Sequence, residues 1–179
     1  FVIAFLLSRR PEKPGLRSMT FTLVGLGIWS FSYAMITISP ALEAKHFWLK
    51  LENIGIITVP VLWFFFTQEF TRLNNWLTGK LIKGLFWIIP AISLFIIFSE
   101  RWFHLYYTST HVAMASGGPL LISRGPMYWV MLSQSYLLEL IGVGVMVWRF
   151  IQSRLVYRKQ MLYLIGAVTI PFIINIIYQ

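Results

Sequence analysis

One ionisable residue stands out by position. Residues 126–148 form a long apolar run, and Glu139 is its single charge. It lies thirteen residues past Pro126, which at 1.5 Å of helical rise per residue puts it about 20 Å from the start of the run. A carboxyl in such surroundings is costly and faces the interior of a bundle. On a helix, Tyr128, Ser135 and Gly142 share its side, by the three-, four- and eleven-residue spacings. Ser30, Tyr33 and Thr169 lie at comparable positions in other apolar runs and are the expected partners. No Lys or Arg lies within any of these runs, so the carboxyl is expected to be protonated rather than ion-paired. It then either fixes packing through hydrogen bonds or senses a proton or ligand.

The other chemistry-bearing residues cluster in the longest connection, residues 100–125. Trp102, Phe103, His104, Tyr106 and Tyr107 precede a strand-favouring stretch, and Ser116-Gly117-Gly118-Pro119 supplies a turn. A short β-hairpin is expected there, flanked by Tyr128 and Trp129. Its aromatics suit an interfacial belt or an aromatic-lined ligand cap. His46, His104 and His111 are scattered, without Asp and without a His-x-x-His spacing, so no metal site is expected. Phosphate-loop, His-Glu-x-x-His and Gly-x-Ser-x-Gly patterns are missing, so no catalytic residues and no cofactor are assigned.

The elements that hold these residues follow from composition. The chain has 179 residues, 58% hydrophobic and 12% charged, far from the balance of a water-soluble domain. Runs of about 20 apolar residues span a bilayer. Five qualify or nearly do, at 18–39, 53–68 (short, but able to extend back through Leu51 and Trp48), 84–99 (likewise through Ile82 and Leu81), 126–148 and 160–179, and residues 1–7 read as the tail of a truncated helix. Pro60, Pro90 and Pro171 fall inside three of them, as static kinks or as hinges. Eleven of the fifteen basic residues fall in alternate connections: Arg9, Arg10, Lys13 and Arg17; Arg72, Lys80 and Lys83; Arg149, Arg154, Arg158 and Lys159. Lys45, Lys50, Arg101 and Arg124 lie on the other side. By the positive-inside rule, loops 9–17, 69–83 and 149–159 are cytoplasmic and the N-terminus is outside. The net charge of +9 therefore reports orientation, and no nucleic-acid partner is implied. With no Cys, disulfides and thiolate metal sites are excluded. The last run would end outside, so control of a cytoplasmic partner would require a further spanning helix.

The expected fold is an all-α integral membrane bundle of five full transmembrane helices plus a truncated first one, with a short extracytoplasmic β-hairpin. It forms one domain over 1–179, read as a fragment that lacks its last helix and its output domain.

Several segments carry a family likeness in order. Residues 42–55, Leu-Glu-Ala-Lys-His-Phe-Trp-Leu-Lys-Leu-Glu-Asn-Ile-Gly, open the second full span, which continues Val59-Pro60-Val61-Leu62-Trp63 and ends Glu69-Phe70-Thr71-Arg72. Gly125-Pro126-Met127-Tyr128-Trp129, Ser135-Tyr136-Leu137-Leu138, Tyr157-Arg158-Lys159-Gln160, Pro171 and Asn175 follow. Together they resemble the seven-transmembrane N-terminal sensor region of bacterial and archaeal histidine kinases, relatives of which precede diguanylate cyclases. His104 in Phe103-His104-Leu105-Tyr106 matches a recurring His of the family's outer loop. The resemblance implies an outside N-terminus, a prokaryotic cell membrane and a seventh helix leading to a kinase or cyclase domain in cis. Glu139 stands where the family pattern has an aliphatic residue, so its role is not carried over.

The expected function is a receptor module that passes an extracytoplasmic or intramembrane signal to that domain. A small ligand would touch Trp102, Phe103, His104, Tyr106, Tyr107 and Glu139, and homodimer formation is left open. The alternatives are a small proton-coupled transporter, which the lack of internal repeats disfavours, and the sensor of a cyclase. An intramembrane enzyme would need paired acids or a His cluster at one depth, and the chain has neither.

Overall fold

The computed structural model describes residues 15–71, 79–99, 104–112, 120–152 and 155–178. The expected stub at 1–7 lies outside them. Helix α1 spans Leu16–Ile38 and ends where Pro40 forces the preceding Ser39 into an extended conformation (φ −72°, ψ 128°). The Ser39 hydroxyl and amide both donate to the Met35 carbonyl, at 2.6 and 3.0 Å, closing the helix end. Helix α2 then runs back along α1 as a single element, Leu42–Thr71, with Pro60 inside. It starts eleven residues before the apolar run at 53–68, and so carries Lys45 and Glu52 into the bundle. Glu139, the one charge inside the apolar runs as hydropathy bounds them, is therefore joined by Lys45 and Glu52.

The run at 84–99 forms two helices, α3 (Lys80–Phe86) and α4 (Ile88–Phe98), broken at Trp87. Pro90 explains the break. It has no N–H to donate to the carbonyl four residues earlier, that of Phe86, and its ring crowds the same group. The side chain of Gln134 donates to this freed carbonyl at 3.1 Å, from the helix that follows the hairpin.

The expected hairpin is present. Strands β1 (Tyr107–Val112) and β2 (Leu120–Arg124) pair antiparallel, Tyr107 opposite Arg124 and Val112 opposite Leu120, with an irregularity between Tyr107 and Ser109. It is tied to the next helix, α5 (Pro126–Gln152), by Gly125 N–H donating to the Tyr106 carbonyl and Met127 N–H to that of Leu105. A side chain at Gly125 would collide with the Leu105 carbonyl, so the close approach requires glycine. Pro126 suits the first helical position, where its missing N–H costs nothing. Helix α6, Leu155–Tyr178, completes the described chain.

Among the described residues four stretches are long and apolar enough to cross a membrane: Leu16–Ile38, Leu42–Thr71, Leu81–Phe98 and Pro126–Gln152. The fifth expected span is helical, with an apolar segment at Met161–Ile170. Helix α2 is the hub, with α1, α4 and α5 packed around it and α6 against α5. The core runs in three clusters down α2: Ile57 with Tyr106, Tyr107 and Met131 beneath the hairpin, then Val61, Phe64, Phe65 and Leu138, then Trp63, Phe66 and Met146. Phe21, Phe31, Phe95, Leu137, Leu140 and Ile170 are each more than half exposed on the outer faces. Apolar coverage of this extent suits lipid and not water.

Candidate functional site

Below the hairpin the helices enclose a cavity of about 300 Å³. Its walls come from α1 (Thr22, Leu26, Trp29), α2 (Asn53, Pro60, Trp63), α5 (Tyr128, Ser135, Tyr136, Glu139) and α6 (Ala167, Val168). Tyr106 and Tyr107, at the root of the hairpin, form the roof.

The position of α1 starts with two glycines. Gly25 and Gly55 face each other where α1 crosses α2, and a Cβ built on Gly55 would lie 2.5 Å from the Gly25 carbonyl oxygen and 2.8 Å from Trp29 Cβ. Small residues of this kind let membrane helices approach backbone to backbone. The crossing places Trp29 four residues on, where its indole N–H donates to the Glu52 carboxylate while its ring lines the cavity. It also fixes what faces away. At 100° per residue Ser30 turns about 140° from the contact at Gly25, and Ser30 is exposed. Tyr33 is 62% exposed. Neither lines the cavity and nor does Thr169, so the three expected partners of Glu139 are not the ones the fold supplies. The polar neighbours in the wall are Thr22, Asn53 and Ser135.

The helical-face reading of α5 does describe the cavity wall. Tyr128, Ser135 and Glu139 line it, and Gly142 packs on the Trp63 indole one turn further. The Ser135 and Thr22 hydroxyls donate to the Met131 and Ser18 carbonyls of their own helices, at 2.9 and 2.8 Å. Among the described residues no hydrogen bond or ion pair engages the Glu139 carboxyl.

The roof is held by a reciprocal pair. Asn53 Nδ2 donates to the Tyr107 hydroxyl at 2.8 Å, and that hydroxyl donates back to Asn53 Oδ1 at 3.0 Å. Asn53 also donates to the Leu49 carbonyl at 2.7 Å. Tyr106 stacks edge-on to Tyr107 and to Tyr128, with ring centroids 4.9 and 5.7 Å apart. Arg124 closes the rim, its guanidinium 4.9 Å from the Tyr128 ring centroid.

Of the six residues expected to touch a ligand, Tyr106, Tyr107 and Glu139 meet at this cavity. His104 lies exposed in the turn before the roof, and Trp102 and Phe103 are outside the described residues. Hydropathy places Lys45 in a connection and Glu52 and Asn53 at the edge of a span. All three are buried; Lys45 Nζ donates to the Ile36 carbonyl at 3.1 Å, at the end of α1. The signal was there: Lys45, Leu49, Glu52 and Asn53 follow the i, i+4, i+7, i+8 spacing of one helical face.

The opposite end carries a smaller cluster. Glu69 accepts from Ser18 Oγ at 2.8 Å and from Lys83 Nζ at 3.1 Å, joining α1, α2 and α3. Partly exposed pairs contribute about 0–1 kcal/mol. Among the described residues no three of His, Cys, Asp or Glu come together.

The roof tyrosines give a pH prediction. Burial pushes both phenols above their ordinary value of 10.0. Tyr128 adds to the rise at Tyr106, while at Tyr107 the neighbouring Tyr106 adds and the Asn53 bond opposes. A phenol whose folded value is raised contributes stability that is fully present below its unfolded value and is lost as pH rises through the folded one. The fold is therefore expected to be insensitive to these groups below pH 10 and to weaken steadily above it. Tyrosinate absorbance near 295 nm, followed with helical circular dichroism, checks this. Ionisation of all eight tyrosines near pH 10 with the fold intact would refute it.

No curated protein and no solved structure matches the chain significantly. A family model does, described as the N-terminal 7TM region of histidine kinase, and the match covers residues 1–179. Coverage of the whole chain, joined to a bundle with four membrane-capable helices, leads to one conclusion: this is a multi-pass membrane protein belonging to the family of N-terminal 7TM regions of histidine kinases.

Proposed function

We propose that the chain is the receptor part of a two-component sensor histidine kinase, and that its signal is a small ligand held in the intramembrane cavity. The observation that carries the reading is the cavity itself: about 300 Å³, walled by four helices, roofed by Tyr106 and Tyr107 and holding the Glu139 carboxyl. Ligand pockets are mostly apolar with a few convergent polar groups, and helical bundles build them between helices. Trp102, Phe103 and His104, which precede the roof tyrosines in the sequence, remain proposed ligand contacts. The basic connections 9–17, 69–83 and 149–159 face the cytoplasm in this proposal, so the hairpin is extracytoplasmic.

A ligand shifts an equilibrium between two bundle arrangements only if it binds them unequally. The cavity suits that condition, because its walls belong to four different helices, α1, α2, α5 and α6. The kinase domain, in cis on the cytoplasmic side, reads the shift.

The test uses the full-length kinase in lipid nanodiscs, with autophosphorylation from ATP as the readout. Ser135→Trp fills the cavity and is expected to change the basal rate by about threefold or more, a bias of roughly 0.65 kcal/mol. Glu139→Leu is expected to change it in the same way. Gly144→Ala, at a position with nothing within 4 Å of an added Cβ, serves as the control. Rates within experimental error of wild type for both cavity variants would sink the proposal.

A further inference from the structure

The cavity is long and thin. On α5 its lining runs from Tyr128 to Glu139, eleven residues or about 16 Å of helix, and on α2 from Asn53 to Trp63, ten residues or about 15 Å. Tyr106 and Tyr107 close one end, and Glu139 marks the other. Over that length a volume of about 300 Å³ leaves a mean cross-section of about 20 Å². A dry cavity of about 150 Å³ takes one benzene, about 25 Å³ per carbon, so this one holds about twelve carbons. An extended chain with C–C bonds of about 1.5 Å advances about 1.25 Å per carbon, so twelve carbons in line measure about 15 Å. Length and volume therefore agree on one straight chain. A compact body of the same volume would leave one end of the slot empty or push the helices apart.

The polar groups along the slot differ in what they ask of such a chain. Asn53 and Tyr107 bond to each other, and the Thr22 and Ser135 hydroxyls bond to their own helices. A chain lying against them leaves none of them unmet. The Glu139 carboxyl is different: among the described residues no hydrogen bond or ion pair engages it. Enclosing such a group without a partner is costly, and a polar head placed beside it removes the cost. Resting on the proposal that the cavity is the ligand site, we infer that its ligand is a straight-chain amphiphile of about twelve carbons, lying along α5 with its polar head at Glu139 and its chain end beneath Tyr106 and Tyr107.

The walls between the two ends suit methylene groups. They are built by Leu26, Ile56, Val59, Pro60, Met131 and Leu132, which carry no polar side-chain atom that a chain would strip of water. The bundle also supplies an entrance. Helix α1 packs on α2 and α6 on α5. Leu26 of α1 and Ala167 of α6 line the cavity and are also exposed, so the side between these helices opens toward lipid. A single-chain amphiphile partitions into lipid and enters from there. The acyl chains of bilayer phospholipids share this chemistry, and chain length separates the two sources, because a longer chain overruns the slot.

The full-length kinase in nanodiscs is titrated with 1-butanol, 1-octanol, 1-dodecanol and 1-hexadecanol, and with dodecane and cyclododecanol. Each affinity is corrected for partition into empty nanodiscs. Affinity is expected to peak at 1-dodecanol and to fall at least fivefold at 1-octanol and at 1-hexadecanol. Cyclododecanol, with the same carbon count in a ring, and dodecane, without a head, should each bind at least tenfold more weakly than 1-dodecanol. Leu132→Trp plugs the slot seven residues from Glu139, about 10 Å away, and should move the optimum to 1-octanol. Glu139→Leu should cut the preference of 1-dodecanol over dodecane to under threefold. Equal binding of 1-dodecanol and cyclododecanol overturns the inference, as does an optimum that Leu132→Trp leaves in place or a head preference that survives Glu139→Leu. Tightest binding by 1-hexadecanol overturns it too and gives the slot to lipid chains. In each of these cases the cavity still stands as a ligand site. Saturable binding of none of the probes overturns the cavity reading, and this inference with it.

Discussion

Gly55→Ala is expected to lower the stability of the bundle by about 2–3 kcal/mol, near the top of the range for overpacked sites. The added methyl would sit 2.5 Å from the Gly25 carbonyl oxygen, 2.8 Å from Trp29 Cβ and 2.9 Å from Trp29 N. Two of these three neighbours are backbone, so no rotamer change relieves the overlap and the helices must separate. Between lipid-facing helices no hydrophobic force restores the contact, because lipid solvates the separated faces as well as the partner did. For a chain of this length such a loss corresponds to a fall in melting temperature of roughly 5–10 °C. Separation also draws Trp29 away from Glu52 and opens the α1 wall of the cavity. Gly144→Ala is the matched control: nothing lies within 4 Å of its added methyl, and helix propensity favours alanine by up to about 1 kcal/mol. Thermal melts of the two variants in one detergent measure the contrast, and a Gly55→Ala melt within 2 °C of the Gly144→Ala one would refute the crossing as drawn.

Breaking the roof pair is the second large effect. Asn53→Leu leaves the Tyr107 hydroxyl buried without either of its bonds, and Tyr107→Phe leaves Asn53 Oδ1 unmet while Nδ2 keeps the Leu49 carbonyl. Each single variant is expected to cost about 1–3 kcal/mol, the penalty of one unsatisfied buried polar group. The double variant removes donor and acceptor together and should cost less than the sum of the singles, with a coupling of about 1–2 kcal/mol. Hydrogen exchange at the amides of Tyr107–Val112 and Leu120–Arg124 should rise in both singles, since the hairpin root loses its anchor to α2. Additive costs, or unchanged exchange in the hairpin, would show that Asn53 does not hold the roof.

Much of this architecture is legible in residue order. Apolar runs of bilayer length announce the helices, because lipid leaves no alternative partner for backbone N–H and C=O groups. The Gly-Gly-Pro turn marks the hairpin, and Glu139 with Tyr128 and Ser135 marks the inward face of α5. Bilayer-length windows misjudge ends, however. Lys45 and Glu52 read as flanking charges by hydropathy, yet α2 continues through them because each finds a partner on α1, the Ile36 carbonyl for the one and the Trp29 indole for the other.

The type and order of the elements thus follow from local hydropathy, turn chemistry and helical period, all of which act between residues close in the chain. The membership of the cavity does not. Which face of α1 meets α2 depends on two glycines thirty residues apart, and that rotation turns Trp29 inward and Ser30 out. The partner of Tyr107 is Asn53, fifty-four positions earlier. The Phe86 carbonyl freed by Pro90 is met by Gln134 from a helix beyond the hairpin. Such pairings are chosen by helix rotation and depth, which are set when the bundle packs and leave no periodic trace in a single segment.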